Sequence, residues 1–409
     1  MERLKDIIKT LKVLNNNKTL KILFITQLIP VNFVLYYLLV GYIYFLTRNL
    51  IDLGIIAVTS ISGVPSFLLP FSSAINNSIK SLKKYDLSII LVQFITLAWI
   101  TFLVSTYVNS AVFLGILQGL FISLFIFREP VNLYLIKSVN LDFDVLKKLE
   151  GILASLRQIN QAIIVILVIL LEERYGLRVF DAGFGILLIF ILLTLLLKLR
   201  LDYPAAEKTP LKISFITQFK SLKKTSNTVK LIFISDYLLY PIIAALYPVI
   251  FYLLGITDMF NVSYSLYLLF FSITMIFATY VSNIIRVRTF GNYVLVYRIT
   301  IALVIVLLSY IVYLFPVFMI GVFTMLVLEN SSFIYLNSFL ITAIEKEKIR
   351  IIIPIMEFIF SIVYSVAVIV VSDIGTVIGE LSILRYIGII YVIVYAILFV
   401  RTRNIRMMT

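Results

Sequence analysis

Lys18-Thr-Leu-Lys-Ile-Leu-Phe-Ile-Thr-Gln27 comes back, lightly changed, as Asn227-Thr-Val-Lys-Leu-Ile-Phe-Ile-Ser-Asp236. Thr, Lys, Phe and Ile coincide, and most other positions are conservative. Upstream, Lys9-Thr-Leu-Lys12 is echoed by Lys220-Ser-Leu-Lys223. Downstream, Asn77-Ser-Ile-Lys80 is echoed by Asn283-Ile-Ile-Arg286. Each match alone is small in a chain so rich in Ile and Leu. Their shared order points to two halves of one make.

The composition says what kind of halves these are. Of 409 residues 62% are apolar and 14% charged, and the mean hydropathy is +1.08. Soluble domains carry about a quarter charged residues, so lipid must cover most of this surface. A helix of about 20 apolar residues crosses the hydrocarbon core. By that measure twelve spans are predicted, numbered here in chain order. Spans 1 to 6 lie near 22–46, 50–75, 87–106, 111–136, 152–171 and 179–197. Spans 7 to 12 lie near 231–254, 260–285, 293–315, 317–343, 351–373 and 381–400. The first is too long for a signal-peptide core and no small-residue cleavage site follows it, so it is expected in the mature chain.

Lys and Arg set the expected orientation. The N-tail, the C-tail and the loops around Lys80, Lys148, Lys224, Arg286 and Lys348 hold 29 of them. The opposite side holds 4: Arg48, Arg174, Arg178 and Arg385. Both termini are therefore expected in the cytoplasm of a multi-pass protein of the cell membrane. This asymmetry also accounts for the net charge of +14 without a nucleic-acid partner. The expected fold class is all-α integral membrane, with twelve helices in two parallel six-helix repeats. An N-terminal bundle covers 1–197, a cytoplasmic basic linker 198–230 and a C-terminal bundle 231–409. In the linker, Phe215, Phe219 and Leu222 lie at helical spacing beside Lys220, Lys223 and Lys224. That pattern suits a short helix on the anionic leaflet and suits a solvated basic loop equally well.

The chain has no Cys and no His. That removes disulfides, thiolate nucleophiles, imidazole bases and the usual zinc or haem ligands, so no cofactor and no metal is expected. There is no Gly-rich phosphate loop ending in Lys-Ser/Thr, so the chain is no ATP-driven pump by itself. The leading expectation is a secondary transporter and not an enzyme. The alternatives are a polytopic membrane enzyme and a lipid-linked substrate flippase.

Residues within spans 4 to 6 carry a family likeness. Leu117-Gln118-Gly119-Leu120 followed by Pro130, and Glu173-Arg174-Tyr175-Gly176-Leu177-Arg178-Val179-Phe180 between spans 5 and 6, resemble patterns of the major facilitator superfamily. Among its members, drug and macrolide exporters look most similar. The resemblance implies two six-helix bundles around a cavity lined by spans 1, 2, 4, 5, 7, 8, 10 and 11, with spans 3, 6, 9 and 12 outside. The chain also departs from the family. Its 73–84 turn has neither Gly nor Asp, so the gating role of the family's Asp is not carried over. The Gly-Pro pair of many antiporters is missing near Ile164-Val165.

An ionisable group at bilayer depth costs about 2.5 kcal/mol or more, which makes it a functional candidate. Six are expected inside spans: Arg128, Glu129, Arg157, Asp236, Glu329 and Glu357. All fall in the cavity class, and the interiors of spans 3, 6, 9 and 12 are read as free of ionisable residues. Polar stripes accompany them. Gln118, Glu129 and Asn132 share one helical face, as do Arg157, Asn160 and Gln161. Glu357 aligns with Ser361 and Tyr364, Asn330 with Asn337, and span 1 adds Gln27 and Asn32. Substrate or cavity candidates are therefore Gln27, Asn32, Gln118, Glu129, Asn132, Arg157, Asn160, Gln161, Asp236, Asn330, Asn337 and Tyr364. Two cations face four carboxylates, so two carboxylates must be protonated, solvated or paired with a ligand. Glu329 and Glu357 are the proton-coupling candidates. The expected partners are the lipid bilayer, a small-molecule substrate and a proton, and the expected state is a monomer.

Overall fold

A computed structural model describes residues 14–60, 62–69, 71, 81–137, 139, 143–203, 225–254, 264–270, 273–274, 277–278, 281, 285, 287–344 and 346–407. Every described element is helical apart from one isolated bridge, Thr289 with Arg406. In chain order the helices are α1 (Lys18–Ile25), α2 (Val31–Thr47), α3 (Leu50–Val58), α4 (Leu82–Ser105), α5 (Ala111–Lys137), α6 (Phe143–Tyr175) and α7 (Arg178–Leu199). Then come α8 (Asn227–Leu253, in consecutive pieces), α9 (Phe290–Ile311), α10 (Phe315–Ala343), α11 (Lys346–Ile378) and α12 (Glu380–Thr402). Eight helices among the described residues are long and apolar enough to cross a membrane, and α2 is a shorter apolar one. The protein is a multi-pass, all-helical membrane protein. Half of span 8 and most of the linker, with Phe215, Phe219 and Leu222, lie outside the described residues.

Contacts divide the chain into two compact units. Unit 1 is Met1–Tyr42, Thr59–Ile61 and Leu68–Lys212; unit 2 is Ile43–Val58, Ser62–Phe67 and Ile213–Thr409. The same pairing recurs in each. In unit 1, α4 packs on α7 and on α5; in unit 2, α9 packs on α12 and on α10. The helices in these positions show one exposed apolar row and one buried row. On α4, Leu91, Ile95, Trp99 and Phe102 are exposed while Ile90, Leu97, Ile100 and Val104 are buried. On α12, Ile390, Ile393, Ile397 and Val400 form the exposed row. Such rows, at spacings of three and four, are lipid-facing surfaces. Gly388 lets α12 close on α9: a Cβ there would meet Val306 Cγ2 at 2.6 Å and the Val306 backbone nitrogen at 3.2 Å.

Two expected spans are interrupted. Span 1 breaks between α1 and α2, where Pro30 has no N–H to continue the ladder. Span 2 keeps α3, then turns at Gly63 into a short 3₁₀ segment, Val64–Leu68, that contains Pro65. In unit 2, α8 widens to a π-helix over Phe233–Leu239, just before Pro241, and α9 does so over Val294–Ile299. Wide turns of this kind leave backbone groups to be satisfied by side chains. Tyr395 donates to Ser235 O at 3.0 Å, Tyr391 to Leu239 O at 2.8 Å, and Thr300 Oγ1 to Leu295 O at 3.1 Å.

Candidate functional site

Among the described residues three polar assemblies stand out, two in unit 1 and one in unit 2. The first is centred on Asp86 of α4, whose side chain is 0% exposed. Arg128 of α5 donates Nε to Oδ1 at 2.9 Å, and Lys198 of α7 donates Nζ to Oδ2 at 3.1 Å. Lys198, also 0% exposed, donates to Asn132 Oδ1 at 2.7 Å. The Tyr203 hydroxyl donates to Asp86 Oδ2 from just beyond α7. Burial, and then the Asp86 carboxylate beside it, hold the Tyr203 phenol above its usual range, so it remains a donor. Lys83 Nζ fixes Leu201 O at 3.0 Å, and Leu201 packs with Ile22, Leu23, Leu82, Val131 and Leu135. Charges and apolar side chains thus tie the exit of α7 to α4 and α5.

The second assembly satisfies the break in span 1. Arg157 of α6 donates Nε to Gln27 O at 3.0 Å, and its Nη2 bonds the Gln27 side-chain oxygen. Asn160 Nδ2 donates to Leu28 O at 3.0 Å. These carbonyls lie at the break in the helical ladder, where Val31 N turns to Ile29 O, and α6 supplies donors to them. Gln27 also lines a small, mainly apolar recess with Leu20, Leu23, Phe24, Ile136 and Leu153.

The third assembly belongs to unit 2. Asp236 sits in the π segment of α8 and Arg298 in that of α9, with side chains 4% and 3% exposed, and Arg298 Nη2 bonds Asp236 Oδ1. The Tyr293 hydroxyl donates to the same oxygen at 2.6 Å and accepts from Arg298 Nη2 at 2.9 Å. The guanidinium lies 4.0 Å over the ring of Tyr240, whose hydroxyl is hydrogen-bonded to Glu329. Glu329 is the central residue of α10, fourteen positions from Phe315 and fourteen from Ala343. Glu357 of α11 lies close enough to Tyr237 for its charge to act on that phenol. Among the described residues no Lys or Arg pairs with Glu329 or Glu357.

In the comparisons with known proteins, no protein-family model matches the chain, and no curated protein matches it in sequence. Solved structures do match. A POT family transporter in complex with 5-aminolevulinic acid superposes with a TM-score of 0.72 at 13% identity, covering 94% of this chain and 96% of that one. The nucleoside transporter NupG gives 0.61 at 15% identity, over 94% and 98%. The fucose:proton symporter FucP of E. coli gives 0.55 at 11% identity, over 93% and 97%. The chain has the major facilitator fold. These three neighbours are transporters.

The structure brings Gln27, Arg157 and Asn160 together, and places Asp236 and Glu329 on either side of Arg298 and Tyr240. Asn132 joins the Asp86 assembly. Asn32, Gln118 and Gln161 are buried in α2, α5 and α6, and Tyr364 is buried in α11 against Phe360. Asn330 Nδ2 donates to Thr274 Oγ1 at 3.0 Å. The side chains of Glu129 and Asn337 lie outside the described residues.

The inventory of buried charges needs correction. The interiors of spans 3, 6, 9 and 12 were expected to be free of ionisable residues, yet α7 carries Asp181, α9 Arg298 and α12 Arg385, and just outside the expected bounds α4 carries Asp86 and α7 Lys198. Lys198 and Arg298 had been counted with the cytoplasmic loops, and Arg385 with the outer side. Each is reached by a ring or carboxylate of a neighbouring helix: the Arg385 guanidinium lies 4.2 Å over the Tyr310 ring. Arg128 pairs with Asp86. The expected balance of two cations to four carboxylates therefore does not hold, since Asp236 has a cation of its own.

Proposed function

We propose that the chain is a secondary active transporter of a small molecule, working by alternating access and coupled to protons. The observation that carries this is Glu329, a carboxylate at the middle of a membrane helix, held by a tyrosine hydroxyl with no described cation beside it. A carboxylate so placed must exchange a proton, a ligand or a counter-ion as its surroundings change. The fold supports the reading. Its neighbours include a fucose:proton symporter, a nucleoside transporter and POT family transporters bound to a thioalcohol-conjugated peptide and to 5-aminolevulinic acid. Glu357 is the second coupling candidate. Arg157 with Gln27, Asn160 and Gln161 is the first choice for substrate contact. The motifs of spans 4 to 6 favour export.

The test is proteoliposome uptake of dipeptides, nucleosides and monosaccharides with and without an imposed pH difference, with sidedness read by loading either face. Glu329→Gln, which imitates the protonated acid, should stop gradient-driven accumulation while exchange of the same compound persists. Accumulation by this variant with only a pH difference supplied removes Glu329 as the coupling site.

A further inference from the structure

Two arginines at the ends of paired helices are answered differently in the two units. In unit 1, Arg178 opens α7 and donates Nε to the Tyr107 hydroxyl, just past α4, at 3.4 Å. Asp181, three residues on, lies close enough for the Arg178 charge to act on it. In unit 2 the matching helices are α12 and α9. Arg385 of α12 lays its guanidinium 4.2 Å over the ring of Tyr310, near the end of α9. Three residues on from Arg385 stands Gly388, whose missing Cβ lets α12 close on α9. Among the described residues no carboxylate pairs with Arg385, and its Nε is buried without a hydrogen-bond partner. Glu380, the one acid of α12, lies close enough to Tyr252 of α8 to act on that phenol instead.

Arg385 follows the start of α12 by five residues, about 8 Å along the helix. That distance takes it from the aqueous end of the helix to the level where headgroups meet hydrocarbon. The residue is half-buried, and a cation held there without an anion is costly. The surface around it suits lipid. Tyr310, Tyr313 and Tyr386 are exposed at this end of unit 2, an aromatic girdle of the interfacial kind. Deeper along the same helices, Leu303 and Leu307 of α9 and Ile389 and Ile393 of α12 are exposed. We propose that Arg385 and Tyr310 form a binding site for the phosphate of an anionic phospholipid, whose acyl chains lie along the exposed rows of α9 and α12. The ring holds the guanidinium flat by cation–π attraction. That leaves the edge of its planar fork to two phosphate oxygens. A zwitterionic lipid brings its own ammonium to the same place and gains less. Arg178, met by Asp181, has no need of such a headgroup and serves as the internal control.

The test uses the full chain in nanodiscs and needs no substrate. Phosphatidylglycerol and phosphatidylcholine, each carrying a diazirine on an acyl chain, are supplied at equal mole fraction and illuminated. Label is then read by peptide mass spectrometry on α9 and α12, with the exposed row of α4 as the reference for lipid at large. Phosphatidylglycerol should be favoured on α9 and α12 by about fivefold over that reference, the value of one basic residue at an anionic surface. Arg385→Gln should bring the ratio down to that of α4. Arg385→Lys should keep most of it, and Arg178→Gln should leave it unchanged. Ile389→Glu, one turn on, offers Arg385 a carboxylate of the protein itself and should also abolish the preference. That variant keeps the proposal falsifiable if Arg385→Gln fails to fold. Equal labelling by the two lipids with Arg385 in place overturns the proposal, as does a preference that survives either Arg385→Gln or Ile389→Glu. Glycerol phosphate in the medium should leave the preference intact. If it abolishes the preference, the site takes its phosphate from solution and the lipid assignment fails.

Discussion

Asp86 receives donors from three places at once: Arg128, Lys198 and Tyr203. Asp86→Asn would leave two cations against a neutral amide inside unit 1. The expected cost is about 3–5 kcal/mol, the range for breaking a buried pair by removing one partner. It is measured as lost thermal stability and lower yield in detergent. Arg157→Ala should act differently. It takes away a donor to Gln27 O but leaves no buried charge behind, so the protein should still reach the membrane while uptake is lost. Unchanged uptake would show that Arg157 is neither a substrate contact nor a required brace. At this scale the sequence was legible where a charge sits deep within an apolar run, as Arg157, Asp236 and Glu329 do. It was not legible near the ends of runs. Asp86 and Lys198 stand within a few residues of a helix end, and Arg298 within five of the expected start of span 9, where a polar side chain ordinarily reaches water. Only the neighbouring helix decides that they turn inward, and no spacing along the chain reports that neighbour.

Helices carry a second kind of information. Apolar length located α4, α5, α7, α9, α10 and α12 to within a few residues, because a lipid-exposed row forces a long uninterrupted run. It overstated spans 1 and 2, where Pro30 and the Gly63–Pro65 turn outweigh hydropathy. The π segments of α8 and α9 left no mark except Pro241, since their freed carbonyls are met by tyrosines of α12 on α8 and by Thr300 on α9. Close packing at Gly388 offers a test at this scale. Gly388→Ala forces a Cβ against Val306 and should cost about 1–3 kcal/mol in thermal stability. Gly185→Ala, on α7 with nothing within 4 Å of the added carbon, should stay within about 0.5 kcal/mol of the parent. Equal effects would mean that α9 and α12 do not depend on this close approach.

For the whole molecule, the repeat visible at Lys18–Gln27 and Asn227–Asp236 has its counterpart in the matching pairs α4–α7 and α9–α12. Orientation is the property to test. Moving Lys198 and Arg298 out of the loop tally leaves 27 basic residues on one side, and taking Arg385 from the other leaves 3, so the expected direction is unchanged. A cysteine at Asn109, between α4 and α5, should react with impermeant thiol reagents outside intact cells, and one at Lys84 only after the cytoplasmic face is opened. The natural chain contributes no thiol background. Labelling of Lys84→Cys from outside would reverse the topology. One feature of α4 makes the same molecule optically simple. Its exposed row contains the single indole of the chain, Trp99, 54% exposed and six residues from the end of the helix. Its emission should be quenched in lipids brominated along the acyl chain, most strongly for bromine at the depth of that turn. The unmodified protein thus carries a built-in gauge of how far α4 sits in the bilayer.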